Sequence, residues 1–291
     1  MVQDEVHPQS RRRIIQASAK HRDQLINFFN QNSRVYRHLD WFLPLDWLGK
    51  QPFLLEMAEG TIRAVLCAIQ ENAEVAWIRA YGVVDDLDID ISWQPLLSKA
   101  NQILHKMEVK ELAALALHPW FERLLVDYGF TNQQDIVVLE WGRKLPSHDR
   151  FNPKVIIREM QVYDLSTIAC IDHLAFPPIW QNSMEGLNKA IEQTGISTVA
   201  IIDGRIIGYQ ISTTMTICSH LARLAVHPDY QRQGVAFSLI YDLLTRLDIQ
   251  GSWRITVNTQ SDNVASLRLY DRFNFNRTGE RIAVYIRSLY G

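Results

Sequence analysis

The hydrophobic pattern of the chain alternates between two kinds of segment. Short apolar runs are typical of buried strands, and apolar residues that recur every three or four positions are typical of amphipathic helices. Residues 221–226 form such a run, and helical spacing begins near Gly234 with Val235, Ala236, Leu239, Ile240, Leu243 and Leu244. His227, Pro228 and Asp229 separate the two. The sequence therefore predicts a strand, a tight loop and a helix in this stretch.

Similar elements fill the rest of the chain. In the first half the pattern predicts helices over 21–30, 95–107 and 120–127 and strands over 53–56, 62–70, 74–84, 112–117 and 136–141. In the second half it predicts helices over 165–174, 184–193 and 263–273 and strands over 154–158, 198–202, 205–212, 253–258, 275–277 and 282–287. The dipeptide Asp203-Gly204 suits a hairpin turn between two of these strands. The alternation of strands and helices is typical of an α/β fold.

The two halves share a short repeat. Residues 123–130 read RLLVDYGF and residues 268–275 read RLYDRFNF, and a last apolar strand follows each. An internal duplication of this kind predicts two domains. We expect a flexible tail over residues 1–10, a first domain over 11–146, a linker over 144–153 and a second domain over 153–291.

The loop before the central helix has the chemistry of an anion site. The first N–H groups of a helix have no earlier carbonyl to bond, and the helix dipole adds partial positive charge there. Gly234 lets the backbone approach a phosphate closely, and Gln231, Arg232 and Gln233 add donors around it. We expect this loop to bind a phosphate or pyrophosphate.

Two motifs resemble those of one family. The segment QRQGVA at 231–236, preceded by Val226-His227-Pro228, resembles the Q/R-x-x-G-x-G/A motif of the GNAT superfamily of acyl-CoA N-acyltransferases. The segment NVASLRLY at 263–270 resembles the family's N-x-x-A/S-x-x-L-Y helix, and ITVN at 255–258 resembles the strand before it. The resemblance covers about residues 153–291, with one departure at Asn274, where the family usually has Gly. It implies an α/β fold in the broad sense, with helices packed on a mixed sheet as in α+β proteins. It also implies two GNAT-like domains in tandem.

The resemblance also implies how the second domain works. The strands 221–226 and 255–258 are expected to splay apart and hold the pantetheine arm, with a backbone N–H near Val226 beside the thioester oxygen. The implied CoA-binding residues are Leu224, Ala225, Val226, Gln231, Arg232, Gln233, Gly234, Val235, Ala236, Asn258, Asn263 and Ser266. Asn263 also suits a helix cap, which alone would explain its presence.

Two proton transfers accompany the implied reaction, since the amine must lose a proton and the thiolate must gain one. Tyr270 matches the family's usual acid position, and a phenol is protonated at pH 7. A tyrosine packed on the helix face is the structural alternative. His220, at the start of the central strand, is a candidate base, with a structural role and deprotonation through ordered water as alternatives.

The first half departs from this pattern. At the repeat offset, the CoA loop corresponds to DLDIDI at 86–91, which has no glycine and three carboxylates, and Tyr270 corresponds to Leu125. Carboxylates repel a pyrophosphate. We expect the first domain to be a degenerate GNAT-like copy without CoA, which acts as a packing partner or as a wall on the acceptor side.

Composition limits the remaining possibilities. With 47% hydrophobic and 21% charged residues the chain is typical of a soluble globular protein, and its net charge of −2 does not favour nucleic acid as a partner. The three cysteines form no C-x-x-C pair, so neither disulfides nor a metal site is expected. Since the N-terminus has no secretory signal and no run approaches 18 apolar residues, we expect a cytoplasmic protein without membrane contact.

The expected function is that of an N-acetyltransferase. We expect the acetyl group of acetyl-CoA to pass to a primary amine of a small molecule or of a protein N-terminus, by direct attack in a ternary complex. Cys218 lies outside both motifs and is not expected to carry the acyl group. Residues 176–180, FPPIW, line the implied acceptor site or pack against the other domain. The alternatives are a non-catalytic acyl-CoA sensor or interaction module, and transfer of another acyl group or to a thiol or hydroxyl.

Overall fold

A computed structural model describes residues 12–147, 152–215 and 217–290 of the chain. It contains two compact units, which cover residues 12–131 with 286–290 and residues 132–285. The expected tail over 1–10 and part of the expected linker lie outside the described residues.

The first unit is a sheet with helices. In chain order its elements are β1 (Arg13–Gln16), α1 (Arg22–Gln31), β2 (Arg34–Arg37), β3 (Phe53–Ala58), β4 (Thr61–Gln70), β5 (Val75–Val83), α2 (Ile89–Lys106), β6 (Glu111–Ala116) and α3 (Pro119–Asp127). The strand order is β1-β3-β4-β5-β6, and β2 pairs with part of β5. Strands β3, β4 and β5 are buried along most of their length because α1 and α2 pack against the sheet.

The second unit repeats this plan. Its elements are β7 (Thr131–Trp141), β8 (Ile156–Glu159), α4 (Leu165–Ala175), α5 (Met184–Gln193), β9 (Ile196–Ile202), β10 (Arg205–Thr214), β11 (Cys218–Val226), α6 (Val235–Ile249), β12 (Arg254–Gln260), α7 (Val264–Arg272) and β13 (Phe275–Ser288). The strand order is β13-β7-β12-β11-β10-β9-β8. Strands β8, β9, β10 and β11 pair in this order, and each of these pairs is antiparallel. The pair β11–β12 is parallel, so the sheet is mixed. Helices α6 and α7 share one apolar core with β7, β11 and β12.

The repeat seen in the sequence is present in the elements. Helices α3 and α7 have equal lengths, and both of their ends are 145 positions apart. The order strand, helix, strand, helix, strand occurs in β5-α2-β6-α3-β7 and again in β11-α6-β12-α7-β13. The predicted α/β class and the predicted mixed sheet are therefore confirmed.

The boundary between the units differs from the predicted domain boundary. Strand β7 was expected to close the first domain, but from Asn132 onward it lies in the second unit and pairs antiparallel with β12. The reason is apolar packing, since Val137, Leu139 and Trp141 belong to the core of the second unit. Residues 286–290 lie in the first unit, where the Leu289 N–H donates to the Lys110 carbonyl at 2.9 Å.

Two local predictions have clear outcomes. Asp203 and Gly204 have φ values of 48° and 76° between β9 and β10, which confirms the hairpin turn. The helix expected to begin at Pro95 begins at Ile89, so that prediction was wrong. The Asp88 carboxylate caps the earlier turn by accepting from the Asp90 N–H at 2.9 Å, and the helix tolerates Pro95 in its interior.

The core of the second unit makes a stability prediction. Ile240 of α6 is fully buried, whereas Ile249 at the end of the same helix is 81% exposed. We expect Ile240→Ala to lower the free energy of unfolding by about 2–5 kcal/mol, because it removes buried methyl groups and leaves a cavity. The matched change Ile249→Ala should cost about 0.5 kcal/mol or less. Urea denaturation followed by near-UV circular dichroism measures both, and equal losses would contradict this packing.

Candidate functional site

Strands β11 and β12 part in the middle of the second unit's sheet. Their parallel pairing runs from Cys218 and Arg254 to Leu221 and Val257 and then ends within the described residues, although both strands continue. Their outer edges stay paired, β11 with β10 as far as Val226 and β12 with β7 as far as its last residue. The inner edges, 222–226 and 258–260, therefore face an opening with backbone groups available to a ligand.

A β-bulge lies at the start of this opening. Ser212 of β10 pairs with Leu221 and Ile211 pairs with Arg223, so Ala222 is the extra residue. A bulge bends its strand and reverses which face the following side chains point to. In a regular strand, residues an odd number of positions apart point to opposite faces. Leu221 before the bulge and Val226 after it are separated in this way, yet both pack on the α6 side. The bulge therefore turns Arg223 to the opposite face, towards α4.

The backbone of Val226 points into the opening. The next residue, His227, donates its N–H to the Ile207 carbonyl of β10 at 2.8 Å. Backbone groups of an extended strand alternate between its two edges. The N–H of Val226 is therefore directed away from β10, towards the opening.

The loop after β11 ends in a glycine with left-handed backbone. A 3-10 turn over Pro228–Tyr230 leads to Arg232, whose φ is 60°, and then to Gly234, whose φ is 80° and which is the N-cap of α6. The first hydrogen bond of the helix runs from the Ser238 N–H to the Gly234 carbonyl at 2.9 Å. The N–H groups of Val235 and Ala236 come before it and therefore have no acceptor within the helix. Since glycine has no side chain to cap them, these groups are suited to an anion.

The glutamine side chains of the loop have a different role from the one expected. The Gln231 side-chain amide donates to the Val226 carbonyl at 3.2 Å, and the Gln233 amide donates to the Asp229 carbonyl at 2.8 Å. These bonds brace the loop and use one of the two N–H groups of each side-chain amide. The second N–H of each amide, the backbone N–H groups and the exposed Arg232 are available to an anion. His227 also acts within the loop, since its Nδ1 accepts from the Asp229 N–H at 3.3 Å.

The sequence reasoning missed Gly208 of β10. A Cβ at this position would lie 2.9 Å from the Ala225 carbonyl oxygen and 3.3 Å from the Val235 side chain. Only glycine permits this close approach of β10 to the strand and helix that flank the loop. A glycine inside an apolar strand pattern was the available signal.

Helix α7 carries the second motif. The Asn263 Oδ1 accepts from the Ser266 N–H at 3.1 Å, and the Asn263 Nδ2 donates to Gln260 at 3.3 Å. Asn263 is therefore the helix cap that its residue type suggested. Asn258 lies exposed on the open edge of β12.

Tyr270 lies inward on α7, in the core that also contains Leu221 and Val257, the last residues paired before the opening. It is 4% exposed and contacts the Phe275 ring edge-on, with centroids 5.6 Å apart. Burial raises the pKa of Tyr270, so the phenol keeps its proton at neutral pH. The group therefore carries a proton at neutral pH, although burial makes it a weaker acid than an exposed tyrosine.

His220 approaches from the other face of the sheet. Leu221 points to the α6 and α7 core, so His220, one residue earlier, points to the α4 side. Its Nδ1 lies 2.8 Å from the Thr256 Oγ1 across the β11–β12 pair. Burial lowers the pKa of His220, which leaves the imidazole neutral and able to accept a proton at pH 7.

The residues expected to line the acceptor site lie on the α4 side as well. The Trp180 Nε1 donates to the Gln134 side chain of β7 at 3.0 Å, and the Phe176 ring lies under the Arg223 guanidinium. The structure thus places residues 176–180 on the same face of the sheet as His220, whereas Tyr270 lies in the core on the opposite face.

The equivalent opening in the first unit is filled. Strands β5 and β6 pair only from Val75 to Trp77 and then part. Because β4 pairs along the whole length of β5 on one edge, β2 lies on the other edge, where it pairs with residues 80–83. Tyr36 of β2 is fully buried and stacks on Phe121 at 4.0 Å. The chain's own strand therefore takes the place that a ligand would have between β5 and β6.

The start of α2 is also unlike the start of α6. The Asp88 carboxylate already caps α2, and Arg63 holds the Asp86 carboxylate with Nη2 at 2.8 Å from both oxygens. The hydrogen bond from Arg63 lowers the pKa of Asp86, so this group stays charged at neutral pH. The helix N-terminus of the first unit is therefore capped by a carboxylate where the second unit offers uncapped N–H groups.

Two absences complete the description. In residues 12–147, 152–215 and 217–290, no three His, Cys, Asp or Glu side chains are placed together so that they would hold a metal ion. Over the same part of the chain, no helix combines the length and the apolar character that crossing a membrane requires.

Comparison with solved structures defines the class of fold. A tandem GNAT protein from the clavulanic acid biosynthesis pathway has a TM-score of 0.63 and 11% identity, with 96% of this chain and 99% of that chain covered. A GCN5-related N-acetyltransferase from Anabaena variabilis has a TM-score of 0.68 and 14% identity over 96% of this chain and 73% of that one. The chain has the fold of tandem GNAT proteins.

Comparison of sequences points to the same fold. Residues 165–275 match the family model described as "Acetyltransferase (GNAT) family". The segment contains β11, the Gly234 loop and all of α7.

The curated relatives match over a limited length. A "[Ribosomal protein bS18]-alanine N-acetyltransferase" of Escherichia coli K12 is 29% identical over 83 residues, which are 28% of this chain and 56% of the relative. The "Spore coat polysaccharide biosynthesis protein SpsD" of Bacillus subtilis is 30% identical over 88 residues, which are 30% of each chain. The chain thus spans about half the length of the first relative and less of the second.

The burial of His220 makes a testable prediction. Because burial disfavours the charged imidazole, we expect the His220 pKa in the folded protein to lie below 6.5 in a ¹⁵N NMR titration. The unfolded chain then binds more protons below pH 6.5, so stability falls as the pH is lowered from 6.5 through the folded pKa. His220→Gln should remove this part of the pH dependence. A folded-state titration at or above 6.5 would contradict the assignment.

Proposed function

We propose that the second unit is an acetyl-CoA-dependent N-acetyltransferase, which transfers the acetyl group to a primary amine of a small molecule or of a protein N-terminus. The observation that carries this proposal is the opening between β11 and β12, with the Gly234 loop next to it. A sheet edge that hydrogen-bonds an extended arm, next to a helix start that binds phosphate, fits the two halves of CoA.

The residues present fit this cosubstrate. The pyrophosphate would be held by the N–H groups of Val235 and Ala236 and by the side chain of Arg232. Gly234, which has a left-handed backbone, places no side-chain atoms beside it. The inner edges of β11 and β12 would pair with the pantetheine amides. The Val226 N–H would donate to the thioester oxygen, on which negative charge develops as the amine attacks.

The chain's own groups supply the proton transfers. Acetyl-CoA supplies a thioester whose acetyl group the amine accepts as the C–S bond breaks. His220, kept neutral by burial, would take the proton that the amine loses, directly or through water. Tyr270, whose phenol is protonated at neutral pH, would give a proton to the departing thiolate. The two groups lie on opposite faces of the sheet, so they do not compete for the same proton.

A protein N-terminus is the acceptor class that one comparison supports. The relative from Escherichia coli K12 is named as an alanine N-acetyltransferase of ribosomal protein bS18, and its match is 83 residues long. A peptide with a free N-terminal amine is therefore the first acceptor to test. Small amines follow, since the matched segment is short.

We propose further that each chain binds one CoA. The first unit has the same strand and helix order, but β2 fills the opening beside β5 and the Asp88 carboxylate caps the helix that would face a phosphate. A second CoA would have to displace Tyr36 and its stacked partner Phe121 from the interior. The first unit would serve as a structural partner of the catalytic unit.

The cofactor loop is tested by a change at Gly234. We expect Gly234→Glu to weaken CoA binding at least about tenfold, because it adds negative charge beside the pyrophosphate and strains a left-handed position. Gly251, whose φ is 76°, lies just past the other end of α6, so Gly251→Glu is a matched control that should leave binding unchanged.

Isothermal titration of the intact chain with CoA measures the affinity and the number of sites. The proposal expects one site per chain, lost in Gly234→Glu only. Two sites would contradict the role given to β2, and equal affinities of the two variants would contradict the assignment of the loop. Binding without any acetyl transfer would favour the sensor alternative.

The acid is tested by Tyr270→Phe. This change removes only the hydroxyl group from a packed ring, so we expect CoA affinity within about twofold of the wild type and turnover reduced about 10²-fold. Release of free CoA thiol with a peptide acceptor measures turnover. Tyr241→Phe, on the neighbouring helix α6, is the control and should keep full activity. An active Tyr270→Phe variant would reduce Tyr270 to a packing role.

A further inference from the structure

The segment 176–182 between α4 and α5 contacts β7 and β11 on the His220 side of the sheet, and it would be the acceptor wall of the proposed transferase. It contains a 3-10 turn over Pro178–Trp180, and Phe176 and Trp180 are only partly buried. Local bonds shape the segment itself, since the Trp180 N–H donates to the Pro177 carbonyl at 2.8 Å and the Gln181 side-chain amide donates to the Phe176 carbonyl at 3.0 Å. These bonds do not attach it to the strands. Its position therefore depends on what holds it to the sheet.

A buried carboxylate gathers four elements at this place. Asp172 of α4 is fully buried and accepts from the Tyr209 hydroxyl of β10 at 2.5 Å and from the Asn182 N–H at 2.9 Å. It also accepts from the Arg223 Nε at 2.8 Å and from the Arg223 Nη2 at 2.6 Å. A buried charge that has lost its hydration needs such partners. Asp172 is thus fixed, and it fixes the end of the segment at Asn182.

Arg223 holds the middle and the start of the same segment. Its Nη2 donates to the Trp180 carbonyl at 2.5 Å, and its guanidinium carbon lies 3.6 Å from the centroid of the Phe176 ring. The planar, forked guanidinium makes the ion pair, the carbonyl bond and the ring contact at once, which an ammonium group cannot do. One side chain of β11 therefore contacts both flanks of the acceptor wall.

The bulge at Ala222 is what aims Arg223 at this wall. In a regular strand Arg223, two positions after Leu221, would point to the same face as Leu221, into the apolar core. The bulge also lies one residue after the last β11–β12 pair, where the opening begins. The bulge at Ala222 therefore lies where the opening for the cosubstrate begins, and it also directs the side chain that contacts the wall.

We propose that Arg223 is the positioning residue of the acceptor site, which holds the wall 176–182 against β11 through Asp172, Trp180 and Phe176 and thereby sets which amines fit. The inference rests on the proposed transferase function, because the wall is an acceptor wall only if an amine is the second substrate. It concerns the acceptor alone, since none of these contacts involves the Gly234 loop.

The variants that test it are Arg223→Met and Arg223→Lys, with Arg205→Met as a matched control at an exposed arginine of β10. The probes are CoA alone, acetyl-CoA, and hexapeptides that differ only in the N-terminal residue. We expect Arg223→Met to raise the peptide KM about tenfold or more and to flatten the preference among peptides, because a displaced wall loses its fit. The CoA dissociation constant and the acetyl-CoA KM should stay within about twofold of the wild type.

Arg223→Lys separates the charge from the geometry. It keeps a cation beside Asp172, so we expect the thermal midpoint and CoA affinity of the wild type, while the peptide KM stays raised because the fork is missing. A Lys variant with wild-type peptide KM would overturn the positioning role and leave a simple ion pair. This variant also covers the case in which Arg223→Met fails to fold.

Hydrogen exchange by mass spectrometry tests the same claim without any acceptor. Peptides that cover 176–182 should exchange faster in both Arg223 variants, while peptides from α6 should exchange at the wild-type rate. Unchanged exchange over 176–182 would overturn the proposal. If the wild type transfers acetyl to no amine, the transferase function fails, and the exchange rates still decide whether Arg223 holds the segment.

Discussion

The structure of the second unit depends on two strands that stop pairing while their outer edges stay bonded. An extended strand carries N–H and carbonyl groups on both edges, and buried groups of this kind must find partners. Beyond Leu221 and Val257 the inner edges of β11 and β12 no longer pair with each other. The Gln231 amide takes up the Val226 carbonyl, and the Val226 N–H is left for a ligand or water. The bulge at Ala222, the glycine at the head of α6 and the buried Tyr270 are all arranged around this opening.

The first unit meets the same constraint in another way. Strands β5 and β6 part after Trp77, but β2 supplies the missing hydrogen bonds and Tyr36 fills the space. The Asp88 carboxylate caps the helix that would otherwise offer its N–H groups to an anion. Two copies of one topology therefore differ in whether the chain or a ligand completes the sheet. This difference gives a physical basis for the proposal that only one copy binds CoA.

Features encoded by a few neighbouring residues were readable from the sequence. The hairpin at Asp203-Gly204, the glycine loop before α6 and the cap at Asn263 follow from the backbone preferences of single residues, and the structure shows each of them. Asn274, where the family usually has glycine, has the positive φ of 61° that asparagine tolerates. In these cases a local rule and the fold agree.

Features that depend on distant partners were not readable. A bulge depends on the register of two strands, so the reversal that turns Arg223 towards Asp172 leaves no periodic signal. The insertion of β2 beside β5 and the placement of β7 in the second unit depend on which edges remain open after the rest has folded. The one available clue was charge, since Asp172 and Arg223 interrupt apolar segments with opposite signs.

The central claim is that the opening of the second unit, and not that of the first, takes CoA. A crystal structure of the intact chain grown with CoA tests it most directly. The account predicts one CoA per chain, with pyrophosphate oxygens about 2.7–3.2 Å from the nitrogens of Val235 and Ala236 and the pantetheine arm between β11 and β12. A CoA molecule bound between β5 and β6 with β2 displaced, or bound away from the Gly234 loop, would contradict it.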